Sequence, residues 1–481
     1  MWLEDLAIEW GNWIVTVLLV YSVVAFLVQL ALAWMARAEL GRQRRRQLLA
    51  DSIYMFESDQ APAISVLLTA CNDAPSIAES VRALMQLEYP ALEIVVVNDG
   101  STDETLDCLI EAFDLRPAHH TPRNTTPRGR VRECFASPHH PRLTVVDAVR
   151  GGRARAANLG VAYARHPLVL LTDAGTVLER DALARLALPF YEDPTVAAVG
   201  CVVRPSNGSI IERGHLKYCA LPASRFARLQ VVEYLRSMLS ARMAWTFLDS
   251  LFVHPGMIGL FSREAVRSVG GFRVGTTGED TDLCMRLQLR AARNGQREVV
   301  RFLGDAVAWT AVPEKLRGIA RQRTRWYQGL ADALWFNQEM LLNGRFALHH
   351  GFVFLVLLVV DLVGPMVEAG GQVALAALAS TGGLDAALLV IYFSVFLVGG
   401  TVPSLMAIAL ERKACPRFDR AADLEGLALY SLVENLGYRQ LTSLWRFVGT
   451  LKALGGRRDP GEAQRRGRAA EADEADEQQA A

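Results

Sequence analysis

Two long apolar regions, one near each end of this 481-residue chain, restrict what it can fold into. Residues 13–35 are almost unbroken apolar sequence, with Gln29 the main exception, and their number matches the ~20 residues that a membrane-spanning helix needs. Trp13 and Trp34 stand where the interfacial aromatic residues of such a helix belong. A cleaved signal peptide would have a basic N-terminal flank and a shorter apolar run, whereas this flank is acidic. The sequence therefore predicts an N-terminal transmembrane helix within residues 1–36.

The charges beside this apolar run predict which side of the membrane the next segment occupies. The flank that follows is basic, with arginine at Arg37, at Arg42 and throughout residues 44–46. Because lysine and arginine are retained on the cytoplasmic side of a membrane, the N-terminus is expected outside. Residues 37–62 are then a basic juxtamembrane linker, and the domain that follows lies in the cytoplasm, at the inner face of the cell membrane.

The second apolar region, residues 346–455, predicts further membrane helices and a multi-pass protein. Residues 352–379 read as one long or kinked segment, with the kink at Gly364-Pro365, and residues 386–410 read as a second span. Residues 424–451 are amphipathic and charged, which favours a helix at the interface or against the other helices over a third lipid-exposed span. The remaining residues, 456–481, are polar and low in complexity and are expected to be disordered.

Between the apolar regions the pattern is that of an α/β domain, expected at residues 63–310. Short β-branched runs, each bounded by turn residues, alternate with helical patterns, which predicts a mostly parallel sheet with ligands at the carboxyl ends of its strands. A basic, mobile loop is expected at residues 114–142, where Pro, Arg and His are frequent. The β-branched runs are residues 64–68, 94–97, 143–146 and 168–171.

Composition excludes some classes of protein. Basic and acidic residues both number 51, so the formal net charge is zero and no general field attracts nucleic acid. The seven cysteines include no Cys-x-x-Cys pair, and the nine histidines lack the spacing of a helix-borne zinc site. We therefore expect reduced, mostly buried cysteines in a cytosolic domain and no zinc centre.

Four short motifs follow one another in the polar part of the chain. Each has a simple structural interpretation: an aspartate at a strand end closes a turn, acidic residues cap the start of a helix, and the arginines of an amphipathic helix extend toward a membrane surface. Their joint order is what indicates a functional site. The motifs are Asn98-Asp99-Gly100-Ser101, Asp173-Ala174-Gly175, Thr277-Gly278-Glu279-Asp280 and Gln322-Arg323-Thr324-Arg325-Trp326.

These motifs, together with the glycine- and arginine-rich residues 152–160 and the segment 255–263, resemble those of the membrane-embedded family 2 glycosyltransferases. That family includes cellulose, hyaluronan and poly-N-acetylglucosamine synthases, and the resemblance extends from Ala63 to about Gly455. It implies an α/β GT-A-type nucleotide-sugar-binding domain plus α-helical transmembrane segments, with amphipathic interface helices at residues 311–345.

The resemblance also implies a role for each motif residue. Asp280 is the expected catalytic base, which takes a proton from the acceptor hydroxyl, and Glu279 is expected to orient the loop or the acceptor. The residues expected to contact the acceptor are Trp326, Gly256 and Gly259. The residues expected to bind the donor are Thr69, Asn72, Asp73, Asp99, Arg153, Asp173, Gln322 and Arg325.

The expected metal site departs from the family pattern. Asp173 is the expected ligand of a divalent cation, Mg²⁺ or Mn²⁺, that would neutralise the donor diphosphate, but Gly175 stands where the family has a second aspartate. Two alternatives stay open. Either Asp173, the diphosphate oxygens and water hold the cation, with help from Thr176, or Arg153 and Arg325 carry more of the positive charge.

The implied reaction is inverting, processive transfer of a sugar from a UDP-sugar to a growing β-linked exopolysaccharide. Two other functions stay open: non-processive transfer to a lipid carrier, and a catalytically silent membrane scaffold of an exopolysaccharide complex. The expected partners are a UDP-sugar donor, a glycan or lipid-linked acceptor, the lipid bilayer, and an export subunit or a second copy of the chain.

Overall fold

The computed structural model describes most of the chain. Parts of three sequence predictions lie outside the described residues: positions 50–60 of the linker, the centre of the basic loop at 123–128, and the C-terminal tail from 457 to 481. The described residues are 2–49, 61–122, 129–212, 215–256, 258–296, 298–342, 348–379, 386–418 and 420–456.

One long helix, α1 (Trp2–Leu49), begins the chain. It runs on through the first part of the predicted basic linker, so that the charged residues after the apolar run are helical. One flank of α1 is buried, with Val15 and Leu18 at most 2% exposed, whereas Trp13 and Leu27 are 69% and 58% exposed. An exposed apolar flank of this kind suits contact with lipid.

The described residues contain twelve strands, ten of which form one mixed sheet in the order β3-β4-β5-β2-β1-β6-β11-β8-β12-β7. The central neighbours β5, β2, β1 and β6 are parallel, as the β-branched runs predict. The expectation of a mostly parallel sheet is wrong for the whole sheet, because β11 enters antiparallel between β6 and β8 and both outer edges are antiparallel. The strands are β1 (Ile64–Ala70), β2 (Leu92–Asp99), β3 (Arg116–Pro117), β4 (Val131–Ala136), β5 (Leu143–Ala148), β6 (Leu168–Asp173), β7 (Thr176–Leu178), β8 (Val196–Pro205), β9 (Ile210–Glu212), β10 (His215–Tyr218), β11 (Ile258–Ser262) and β12 (Val299–Thr310).

Helices cover the sheet on both faces. Successive side chains of a strand point to opposite faces, and all seven residues of β1 and all eight of β2 are buried. A π-helix, Arg236–Arg242, joins two of the covering helices, α6 and α7. The helices of this part of the chain are α2 (Ile77–Met85), α3 (Thr105–Phe113), α4 (Arg153–Tyr163), α5 (Ala182–Glu192), α6 (Arg225–Leu235), α7 (Met243–Phe247), α8 (Arg263–Ser268), α9 (Glu279–Arg293), α10 (Leu316–Phe336) and α11 (Glu339–Leu342).

The basic segment 114–142 is more ordered than the sequence indicates. The described part of it includes β3 and β4, which extend the sheet at one edge through antiparallel pairing with β5. Cys134 and Phe135 of β4 are buried in the core. The expectation of a loop throughout is therefore wrong, because two apolar side chains anchor β4 despite its polar surroundings.

Within the described residues, three helical stretches are long and apolar enough to cross a membrane: Glu9–Arg46, Leu348–Ala377 and Ala386–Ala414. The second stretch consists of α12 (Leu348–Val356), a π-helix (Leu357–Val363) and α13 (Gly364–Ala379). Its irregular segment thus precedes the predicted kink at Gly364-Pro365. The third stretch is α14 (Ala386–Ala414).

The last described segment is broken in the middle. It consists of α15 (Ala421–Val433), a π-helix (Glu434–Tyr438) and α16 (Arg439–Gly455). The break is at Leu436 and Gly437, whose backbone angles are not helical, with φ of 106° at Gly437. Helix α16 packs along α10, so this segment connects the apolar helices with the α/β domain.

Buried ion pairs join the sheet to the end of α14. Arg204 of β8 donates from Nη1 to Oε1 of Glu411 over 2.9 Å, and both side chains are at most 2% exposed. Arg417, just after α14, pairs with Glu179 beside β7, and Glu179 also accepts from the indole of Trp309 at 3.1 Å. Such pairs require a fixed relative position of their two elements, so α14 and the sheet form one packed unit.

Candidate active site

The parallel strands bring two of the predicted donor residues together at their carboxyl ends. Thr69 of β1 and Asp173 of β6 are direct neighbours in the sheet register. The Thr69 hydroxyl donates to Oδ1 of Asp173 over 3.2 Å. The site thus begins where the strand pattern predicts it, at the edge where a ligand of such a sheet binds.

Asp99, at the end of β2, holds the loop that leads into α4. Its carboxylate accepts hydrogen bonds from the amides of Gly151 and Gly152, at 2.7 and 2.9 Å. Gly152 has φ of 86°, a backbone conformation that favours glycine. These contacts fix the start of α4, whose first residue is Arg153. The predicted contact of Asp99 with a nucleotide stays a prediction.

The other two residues predicted to bind the nucleoside stabilise the loops around it. Oδ1 of Asn72 accepts from the amide of Thr102 at 2.8 Å, and Oδ2 of Asp73 accepts from the amide of Cys71 at 2.8 Å. Asn72 has φ of 61°, which asparagine tolerates better than most residues. The first bond ties the loop after β1 to the loop after β2, and the second lies within the loop after β1. The predicted contacts of Asn72 and Asp73 with the donor stay predictions.

Arg153 is the central cation of the site. It donates from Nε to Oδ1 of Asp173 at 2.8 Å, from Nη1 to Oε1 of Glu279 at 2.5 Å, and from Nη2 to the carbonyl of Gly256. Burial lowers the pKa of Arg153, but the Asp173 and Glu279 carboxylates raise it by more, so that the net shift is upward and the guanidinium stays charged. One side chain thus joins the second and third motifs to the segment before β11.

Asp280, the predicted base, lies in the first turn of α9 and faces Gly256. A Cβ atom on Gly256 would come 2.9 Å from Oδ2 of Asp280, so the small residue lets the loop before β11 approach the carboxylate. Burial and the neighbouring Glu279 raise the pKa of Asp280 to about 6, against the lowering effect of Arg153. A carboxylate with this pKa is ionised at neutral pH and is a stronger proton acceptor than an ordinary aspartate.

The third and fourth motifs are held in direct contact by two glycines. A Cβ on Gly278 would lie 2.4 Å from the carbonyl oxygen of Gly329, and a Cβ on Gly329 would lie 2.8 Å from the amide nitrogen of Gly278. The hydroxyl of Thr277 also donates to the carbonyl of Arg325 over 3.4 Å. The turn that carries Glu279 and Asp280 therefore packs directly on α10.

The residues of the fourth motif divide into two groups. Arg325 and Trp326 line the cavity described below. Arg323 is fully buried and binds Glu233 through Nε and Nη2, at 3.0 and 2.7 Å. Gln322 accepts from Nη1 of Arg323 at 2.7 Å and lies outside the cavity lining. The predicted contact of Gln322 with a donor stays a prediction.

Gly259, expected to contact the acceptor, lies in the buried part of β11 and outside the cavity lining. A Cβ there would come 2.3 Å from Cε1 of His254 and 2.7 Å from the ring of Phe261. Its small size is explained by this packing. Burial lowers the pKa of His254 to about 4, so the imidazole is neutral and serves as a core side chain.

A cavity of about 710 Å³ connects the motif residues with the apolar helices. At one end it is lined by Arg153, Asp173 and Asp280, and at the other by side chains of α1, α13 and α14. The three π-helices of the described residues all contribute to its wall, and π-helical segments are frequent at functional sites. The charged residues of this wall that sequence reasoning did not assign are Glu233, Arg236, Arg242, Asp361, Glu368, Glu434, Arg439 and Arg446.

A sequence signal for these wall residues exists. Glu233 and Asp361 interrupt runs of apolar residues, and an ionisable residue in such a context is costly unless it is paired or functional. The structure pairs several of them: Arg236 with Glu434 at 2.5 Å, Arg439 with Glu368 at 3.3 Å, and Arg446 with Glu233 at 3.2 Å.

The donor set for a divalent cation is incomplete. Asp173 supplies one carboxylate, whose Oδ1 already accepts from Arg153 and Thr69. Gly175 has φ of 82°, and a Cβ there would meet nothing within 4 Å. In the part of the chain that the structure describes, no group of three or more His, Cys, Asp or Glu residues could hold a metal ion. The residues present therefore do not form a two-carboxylate metal site.

Comparison with known proteins places this site in a family. Residues 62–329 match the family described as Glycosyltransferase like family 2. Curated relatives named poly-beta-1,6-N-acetyl-D-glucosamine synthase include one from Staphylococcus epidermidis (strain ATCC 35984), 26% identical over 60% of this chain and 58% of the relative, and one from Staphylococcus aureus (strain COL), 25% identical over 57% and 56%. The chain thus matches less than two thirds of these relatives' length. Among solved structures, a mannosyltransferase from Pyrobaculum calidifontis in complex with GDP-Man and Mn²⁺ is 20% identical, covers 85% of this chain and 99% of its own, and has a TM-score of 0.46.

Proposed function

Since this chain belongs to the family described as Glycosyltransferase like family 2 and its α/β domain is of the GT-A type, we propose that it transfers a sugar from a UDP-sugar to a hydroxyl of a β-linked exopolysaccharide, with inversion at the anomeric carbon. The observation that carries this proposal is the convergence of Asp280, Arg153 and Trp326 on one cavity at the carboxyl ends of the strands. Base, cation and aromatic surface are the three groups that such a transfer needs.

The donor is proposed to bind with its nucleoside over the ends of β1 and β2 and its diphosphate against Arg153 and Arg325. The acceptor hydroxyl lies between Asp280 and the anomeric carbon. Asp280 takes the proton of this hydroxyl as its oxygen attacks, a new C–O bond forms, and the bond from the anomeric carbon to the diphosphate breaks. UDP leaves with the electron pair of that bond. An α-linked donor thereby gives a β-linked product.

The charges around the leaving diphosphate come from the chain itself in this mechanism. Arg153 and Arg325 present permanently charged guanidinium groups, which bind phosphate oxygens in a bidentate fashion. A divalent cation is the cofactor that the family resemblance implies, but one of its two expected carboxylate ligands is replaced by Gly175. Each step above therefore uses side chains of this protein alone.

The acceptor is proposed to extend from Asp280 into the cavity toward the apolar helices. A polar, ion-paired wall between apolar helices suits a hydrated sugar chain better than a lipid tail. This arrangement supports processive synthesis at the inner face of the membrane, with the product passing between the helices and the catalytic domain in the cytoplasm. An export subunit or a second copy of the chain would complete such a passage.

N-acetylglucosamine is the first sugar to test, because the curated relatives are named for its polymer. The full chain in lipid nanodiscs would be given UDP-N-acetylglucosamine or UDP-glucose, and UDP release and product length would be measured. We expect steady UDP release with one donor, a decrease of at least 100-fold in Asp280→Asn, and no change in Asp107→Asn, which alters an exposed carboxylate on α3.

Product length separates the alternatives. Long polymer supports processive synthesis, whereas a single sugar on an extracted lipid indicates transfer to a lipid carrier. A folded protein that releases no UDP with any nucleotide sugar would contradict the enzymatic proposal and leave a scaffold role.

A further inference from the structure

The guanidinium of Arg153 lies where oxygen atoms of three separate elements converge. These are a carboxylate oxygen of Asp173 at the end of β6, one of Glu279 at the start of α9, and the carbonyl of Gly256 before β11. Hard divalent cations bind where oxygen ligands converge in this way. In this protein the Arg153 side chain supplies the positive charge at that point.

Position 175 has room for a second carboxylate but holds a glycine. Gly175, two residues after Asp173, has open space around the place of its Cβ. The nearest side chain after it, Thr176, is buried in β7. Asp173 is therefore the one carboxylate of residues 173–176, and its Oδ1 already pairs with Nε of Arg153 at 2.8 Å.

The charge of Arg153 is permanent and its position is fixed. A guanidinium does not lose its proton in proteins, and the carboxylates around Arg153 favour the charged form further. Its backbone is held by the bonds from Gly151 and Gly152 to Asp99. A rigid, permanently charged fork beside a cavity is suited to binding a diphosphate.

We propose that Arg153, in place of a divalent cation, supplies the fixed positive charge that binds the donor diphosphate, so that nucleotide binding persists when divalent cations are removed. The inference rests on the proposed function, since it concerns the same donor site. It predicts that the affinity for UDP depends on Arg153 and hardly on Mg²⁺.

The test is the affinity of the full chain in nanodiscs for UDP, measured by calorimetry with Mg²⁺ or with EDTA. We expect less than a fivefold difference between the two conditions for the unmodified protein. Arg153→Gln should weaken UDP binding at least tenfold in both conditions, and Arg153→Lys, which keeps the charge, should weaken it less. Arg155→Gln, two residues along the same helix and outside the cavity lining, is the matched control and should bind UDP normally.

A second pair of variants introduces the missing carboxylate. Gly175→Asp should weaken UDP binding in EDTA, because it places another negative charge near the diphosphate, and Mg²⁺ should restore binding more than fivefold. Gly175→Asn has the same backbone strain without the charge and should respond to Mg²⁺ no more than the unmodified protein. Equal binding by Gly175→Asp in both conditions would mean that this position does not face the diphosphate, and would overturn the inference.

Other results separate the inference from the proposed function. A loss of UDP affinity of more than fivefold in EDTA, or normal binding by Arg153→Gln, overturns the role of Arg153 while leaving the enzyme assignment intact. No binding of UDP in either condition by folded protein overturns the proposed function and the inference with it.

Discussion

At the scale of single residues, the pKa of Asp280 is set by burial and by two charged neighbours. Burial and Glu279 raise its pKa to about 6, and Arg153 lowers it. Glu279 is itself bound to Arg153 at 2.5 Å, so the three groups form one electrostatic unit. The pKa of the predicted base, Asp280, therefore depends on Arg153, 127 positions away in sequence, which the motif itself does not reveal.

The pH dependence of sugar transfer tests this unit. The base accepts a proton only when ionised, so the rate should fall as the pH decreases through about 6, to about one tenth of its plateau at pH 5. In Glu279→Gln the raising effect of the neighbouring charge is lost, so the acid limb of the profile should move to lower pH. Glu264→Gln, an exposed carboxylate on α8, should leave the profile unchanged, and an upward shift in Glu279→Gln would contradict the model of charge repulsion.

Sequence reasoning identified several motif residues that line the cavity, but not their partners. Asp173, Asp280, Arg325 and Trp326 stand in motifs and are found there. The pairing of Arg323 with Glu233 depends on how α10 crosses α6, which no local pattern specifies. Gly259 is predicted to contact the acceptor, and the structure adds a packing reason for its small size, the closeness of His254.

At the scale of elements, the contact of α10 with the turn before α9 is the closest in the site. Gly278 and Gly329 meet through backbone atoms, which have no flexible side chain that could move aside. Gly329→Ala should therefore separate the two elements, with a loss of stability of about 1–3 kcal/mol and reduced UDP release. Gly370→Ala on α13, where a Cβ meets nothing within 4 Å, is the control. Equal melting temperatures of the two variants would show that the contact is not tight.

Elements whose sequence signal is local could be predicted, whereas elements that depend on distant residues could not. The four parallel strands follow from β-branched runs bounded by turns, but their order in the sheet depends on pairing between distant residues. Strand β11 could not be placed, because its insertion between β6 and β8 depends on a long-range antiparallel pairing. The π-helices could not be predicted either, since a single extra residue per turn changes the apolar periodicity too little to be detected over seven residues.

At the scale of the whole molecule, the buried pair Arg204–Glu411 joins the sheet to α14. Removing one partner leaves a buried charge unpaired, so Glu411→Gln should cost about 3–5 kcal/mol of stability. The double variant Arg204→Met/Glu411→Leu should recover most of this loss, because apolar side chains of similar size can fill the site. Melting temperatures in nanodiscs would measure both. A double variant less stable than Glu411→Gln would show that the pair itself, and not the avoided burial of one charge, stabilises the contact.

The wall of the cavity is shared between the α/β domain and the apolar helices. Side chains of α1, α13 and α14 line the cavity together with those of the α/β domain. Water is itself an acceptor for an activated sugar, and it competes wherever the site is open. On the proposed function, the membrane helices therefore act as a solvent shield as well as a passage. A fragment limited to the α/β domain would keep Asp280 and Arg153 but would transfer the donor sugar to water.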